Sequence, residues 1–70
     1  MKNLKKDAPS RNVGEVGKGD FIKVGSVWKE IAHNSGEGPE YQSDWSVETT
    51  DGSRHGMFNI KRYAKKEDLE

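Results

Sequence analysis

Ser43-Asp44-Trp45-Ser46-Val47-Glu48-Thr49-Thr50-Asp51-Gly52-Ser53-Arg54 is the stretch that decides the fold class. Apolar and polar residues alternate through it with a period of two. Trp45, Val47 and Thr49 fall on one face and Ser46, Glu48 and Thr50 on the other, as in a half-buried strand. Asp51-Gly52 is a strong hairpin signal, because a two-residue type I′ turn needs positive φ at both central positions. Arg54 to Ile60 then reads as the returning strand. Phe58 and Ile60 share one of its faces, and Gly56 marks a bulge or bend.

Upstream, Gly17-Lys18-Gly19-Asp20 supplies a turn and Phe21-Ile22-Lys23-Val24 a short strand. Gly25-Ser26 punctuates it. Val27 to His33 follows as a second strand, with Val27, Lys29, Ile31 and His33 on one face and Trp28, Glu30 and Ala32 on the other. The 34–42 segment, which carries Gly36, Gly38 and Pro39, is a loop by composition. Downstream, Lys61 to Glu70 forms a last short strand or a helical turn, anchored by Tyr63. Residues 1–17 show no apolar periodicity and read as a flexible basic tail, with Val13 and Val16 a weak lead-in that packs on the barrel.

These elements predict an all-β domain of four to five short antiparallel strands, curled into a small barrel over 18–66, with 67–70 a frayed C-terminus. A sheet this small must close or nearly close to hide a core. The run Gly17-Lys18-Gly19-Asp20-Phe21-Ile22-Lys23-Val24 resembles the opening of small SH3-like and KOW-type barrels, whose first strand typically follows a Gly-Asp. The resemblance spans roughly residues 17–63. The plasmid-encoded trimethoprim-insensitive dihydrofolate reductases are also small SH3-like chains, and line a shared pore with a Val-Gln-Ile-Tyr run. Phe58-Asn59-Ile60-Lys61 keeps only the Ile, so the residues expected to hold substrate and nicotinamide are missing.

Seventy residues make one domain at most. Such a chain buries only about 60% of its unfolded surface, so a large catalytic cavity is not expected. There is no cysteine, hence no disulfide and no thiolate zinc site. No apolar run reaches the ~20 residues of a membrane span, and no apolar stretch follows the basic N-terminus as in a signal peptide. A cytoplasmic, non-membrane setting is the expectation. His33 and His55 show no HxH or HExxH spacing, and no metal site is expected. No Gly-x-Ser-x-Gly elbow occurs. Residues 14–19 lack the Gly-Lys-Ser/Thr ending of a phosphate loop. The expectation is a protein that is not an enzyme and needs no cofactor.

Twelve bases balance twelve acids. Their placement is uneven. Glu37, Glu40, Asp44, Glu48 and Asp51 fall in a stretch without bases, and Arg54, Lys61, Arg62, Lys65 and Lys66 in one without acids. If the two segments pair, the charges neutralise each other across the sheet. Otherwise they form opposite patches. The first functional reading is therefore a small protein-binding module, in size like a phage or mobile-element accessory protein that docks on a larger complex. Its contacts would come from Trp28, Tyr41, the 35–42 loop, and Asp44 and Glu48 on the acidic strand. The alternative is a nucleic-acid-binding barrel, gripping phosphate with Arg54, Lys61, Arg62, Lys65, Lys66 and the N-terminal bases Lys2, Lys5, Lys6 and Arg11. A homo-oligomer with a pocket between subunits is a third arrangement.

Overall fold

The computed structural model describes residues 3–38 and 44–70. Five strands make one antiparallel sheet: β1 (Phe21–Val24), β2 (Val27–Asn34), β3 (Ser46–Thr49), β4 (Arg54–Gly56) and β5 (Ile60–Ala64), in the order β4-β3-β2-β1-β5. The all-β reading holds.

Each turn follows from its residues. Gly19, with φ of 93°, lets Asp20 N–H donate to Gly17 O at 2.9 Å, while Asp20 Oδ2 accepts from Gly17 N at 2.9 Å. Gly25, at φ 64°, closes the two-residue link between paired Val24 and Val27, with Gly at the first central position. The β3–β4 hairpin differs from the expected type I′ turn. Only Gly52 has positive φ (88°), and its N–H donates to Thr49 O at 3.0 Å while Thr49 N–H donates to Ser53 O at 2.9 Å. Asp51 stays on the ordinary side of φ because its carboxylate is used as an acceptor, from Ser53 N at 3.0 Å and from Thr49 Oγ1.

β2 is shared. Its first half pairs with β1, its second half with β3, and the ladder slips between Ile31 and His33. The slip breaks strict alternation. His33 turns outward and Asn34 inward, where the sequence pattern put His33 on the Ile31 face.

The Arg54–Ile60 strand expected from the sequence is interrupted. β4 ends at Gly56, and Asn59 N–H donates back to Gly56 O at 3.0 Å, making residues 57–59 a turn. This turn dictates the shape of the sheet. Four strand spacings would separate the edges β4 and β5 by about 19 Å if the sheet were flat. A hydrogen-bonded turn brings its ends within about 7 Å, and one more peptide adds about 3.8 Å. The sheet must therefore curl strongly. It does not close, because the hydrogen-bonded order still ends at β4 and β5; of the two expected arrangements, closed and nearly closed, the structure shows a curled open sheet.

The main core lies inside the curl: Val13, Val16, Ile22, Ile31, Trp45, Val47 and Ile60, with Val24 and Tyr63 packed on it. Trp45 and Tyr63 meet edge-on at 6.0 Å between ring centroids. Phe21, Ala64 and Leu69 form a second cluster, with Leu4 and Trp28 against it. Phe21 precedes the inward Ile22, so this cluster covers the outer face of β1 and β5.

Both ends of the chain differ from the expected tail and frayed terminus. Residues 13–15 form a 3-10 turn whose start is closed by Asn12 N–H donating to Glu15 Oε1 at 3.0 Å. Burying Val13 and Val16 contributes about 1.5 kcal/mol each, so the segment is part of the core. Asn34 Nδ2 donates to Val13 O at 2.9 Å and Val16 O at 2.7 Å, fastening the segment to β2. Leu4 forms an isolated antiparallel bridge with Leu69. Arg11 grips the buried Asp68 with two bonds, Nε to Oδ2 at 2.9 Å and Nη2 to Oδ1 at 3.1 Å. Lys65 N–H adds a third at 2.9 Å. Bidentate, charge-assisted geometry of this kind is strong. It holds the Asp68 carboxyl below its usual range, against the opposing effect of burial. No helix among the described residues is long and apolar enough to cross a membrane.

Candidate binding surfaces

Phe58 sits in the 57–59 turn, 95% exposed, with Met57 beside it at 49%. The period-two reading put Phe58 and Ile60 on one face of a continuous strand. The turn breaks that period, and Ile60 alone goes inward. Val27, at 55%, belongs to the same end of the molecule, since Val24 pairs with both Val27 and Ile60. Phe58, Met57 and Val27 together give this end of the molecule its exposed large apolar side chains.

The acidic strand is less available than its composition suggests. Glu48 pairs directly with Arg54 across β3–β4, and Arg54 Nη2 lies 3.1 Å from Glu48 Oε1. Asp51 Oδ2 accepts from Lys29 Nζ at 2.6 Å. That bond, with those from Thr49 and Ser53, holds the Asp51 carboxyl far below the usual carboxylate range. The two segregated segments thus neutralise each other at Glu48 and Arg54, while Asp51 is neutralised by Lys29 of β2. Asp44 is exposed just before Trp45 and lies outside the β3 ladder that carries Glu48. Tyr41 lies outside the described residues, as do residues 39–42 of the expected 35–42 contact loop.

Trp28 lies on the outer face, partly buried against the Phe21 cluster. Its cross-strand partner is Lys23, whose Nζ stands 5.8 Å from the indole centroid. Lys23 in turn pairs with Arg62 on β5. Among the expected phosphate-gripping residues, Arg62 is therefore on the Trp28 row. Lys61 is exposed on β5, and Lys65 and Lys66 lie at the C-terminal 3-10 turn (Lys66–Asp68). Lys66 N–H donates to Asp20 Oδ1 at 3.2 Å. Arg11 is committed to Asp68 and is not a free contact.

An open depression of about 600 Å³ lies where the chain ends meet, lined by Lys5, Gly19, Phe21, Glu30, Lys66, Glu67 and Leu69. Its two lysines and two glutamates balance, and its floor belongs to the outer cluster. His55 Nε2 is buried with no hydrogen-bond partner among the described residues. His33 and His55 sit on strands flanking β3 on opposite sides, and no group of three metal-ligating side chains gathers among the described residues.

Sequence reasoning missed Phe58. The signal was present: Gly56 before it and Asn59 after it are turn formers, and a turn there would have taken Phe58 off the strand. No protein family, no curated protein and no solved structure matches this chain.

Proposed function

We propose that this is a small non-catalytic module, SH3-like in the order and curl of its strands, that docks on another protein through the 57–59 turn. The exposed Phe58 carries this reading. Aromatic anchors that fill a partner's pocket dominate the energy of protein interfaces, commonly at 2 kcal/mol or more each. Met57 and Val27 flank it as adaptable apolar contacts. Both open edges, β4 and β5, lie beside this turn, so strand addition by the partner is a second source of affinity. Arg54 on β4 and Lys61 on β5 keep the edges from pairing indiscriminately in the free protein.

On this reading docking centres on Phe58 rather than on Asp44 and Glu48, the latter being neutralised by Arg54. On size alone, an accessory role in a phage or mobile element fits such a module. The test is affinity capture from bacterial lysate with nuclease present and washes at low and high salt. A discrete protein retained through both, and lost with Phe58→Ser, supports docking. Retention by Phe58→Ser at wild-type level removes it.

A further inference from the structure

Lys23 and Arg62 are direct cross-strand partners on β1 and β5. Ile22, next to Lys23, is fully buried in the core, so the Lys23–Arg62 pair points to the outer face. Like charges directly opposite in a ladder are destabilising. Elsewhere the sheet uses the favourable arrangement, Glu48 opposite Arg54. Here no ion pair to either cation occurs among the described residues. Glu30 shares the face one row away, opposite Phe21, and is exposed; Lys61 adds a further positive charge beside Arg62. Arg62 Nε is buried and has no acceptor among the described residues. The row is completed by Trp28, opposite Lys23.

We propose that this row, Trp28–Lys23–Arg62, binds single-stranded nucleic acid, with the two cations on the phosphodiester backbone and Trp28 on a base. A phosphate between Lys23 and Arg62 removes their repulsion. Drawing Lys23 Nζ toward it uncovers the indole face that the ammonium now occupies at 5.8 Å. A base stacks there, as aromatic side chains beside cations do in single-strand binders. The row crosses three strands, about 10 Å, which suits one or two nucleotides. The only helices among the described residues are three-residue 3-10 turns, so no α-helix is offered to the major groove of a duplex. The site goes beyond the docking reading and uses none of its apolar anchors, Phe58, Met57 and Val27, so each can fail without the other.

The experiment is fluorescence anisotropy with labelled oligothymidylate and oligouridylate of about 15 nucleotides, on the full chain at low salt. Two phosphate contacts give a slope of log K against log salt of about −1.4. The double variant Lys23→Gln/Arg62→Gln should lose at least about tenfold in affinity, whereas Lys23→Arg retains it. Of the two tryptophan indole N–H resonances, only that of Trp28 should shift on titration. Circular dichroism checks folding, and Lys23→Gln alone, altered only at a surface side chain, must also weaken binding. No binding at low salt would overturn the proposal, as would unchanged affinity in the variants. Equal binding of a duplex of the same length, or equal displacement by polyglutamate, would overturn it too.

Discussion

Replacing Asn34 by Asp changes one atom's hydrogen-bonding character at the point where the N-terminal segment meets the sheet. Asn34 is 4% exposed. Its Nδ2 donates to Val13 O and Val16 O, and its Oδ1 accepts from Gly36 N–H at 2.8 Å. Both donor hydrogens of the amide are used, and its oxygen accepts once. A carboxylate keeps the Gly36 bond and turns its second oxygen against two carbonyl oxygens. Two acceptors lose their donor at about 1–2 kcal/mol each, and a buried charge without a counterion adds further cost. The total is about 4 kcal/mol. A domain of this length is stable by roughly 3.5–10 kcal/mol, so Asn34→Asp should remove about half of it or more.

The effect depends on pH with a defined sign. Burial and the facing carbonyls raise the folded pKa of the introduced carboxyl above its unfolded value of about 3.9. The protonated acid can donate to one carbonyl. The variant's deficit is therefore smallest at acid pH and grows as pH rises through the raised folded pKa. The assay is urea unfolding followed by tryptophan fluorescence, with variant and wild type compared at about pH 5 and pH 8, and Asn34→Leu as a pH-independent control. A deficit under about 1 kcal/mol at pH 8, or one that does not change with pH, would refute the reasoning.

A Cβ at Gly36 would stand 2.8 Å from Val13 Cγ2 and 3.0 Å from Trp45 Cγ, so Gly36→Ala should cost about 1–3 kcal/mol by overpacking, read as a lower thermal midpoint. Asp68 has a folded pKa depressed first by its bond to Arg11; its contribution is present above the unfolded value of about 3.9 and is lost as pH falls through the depressed one. Asp68→Asn should therefore cost about 2–3 kcal/mol at neutral pH and flatten the acid limb of the stability curve; Arg11→Ala in the same background should add little. Phe58→Ser, by contrast, should leave stability within about 0.5 kcal/mol of wild type by the same melts.

The three best-patterned segments were legible from local chemistry. β1 occupies the residues read as its strand, β2 runs one residue further, and β3 turns Val47 and Thr49 inward, with Trp45 buried just before it. Turn glycines at 19, 25 and 52 do what their positions imply. What could not be read depends on long-range partners. Val13 and Val16 show no period, because they reach the core from a 3-10 turn held by a residue about 20 positions away, Asn34. Arg11 and Asp68 lie 57 residues apart, and nothing local announces their pairing. The ladder slip that turns Asn34 inward defeats a strict period-two count. The same count misplaced Phe58, because it ran through a turn. Charge segregation was legible, and so was the option that it cancels across strands; only the register decides that Glu48 meets Arg54 while Lys23 meets Arg62.

The docking surface is tested most directly by site-specific photocrosslinking. A photoreactive phenylalanine is placed at position 58, and in a parallel sample at position 18, at the opposite end of β1. Both are irradiated in lysate treated with nuclease. Docking through the 57–59 turn requires a discrete crosslinked protein from position 58 and none from position 18. Equal crosslinking from both positions, or none from position 58, would contradict it.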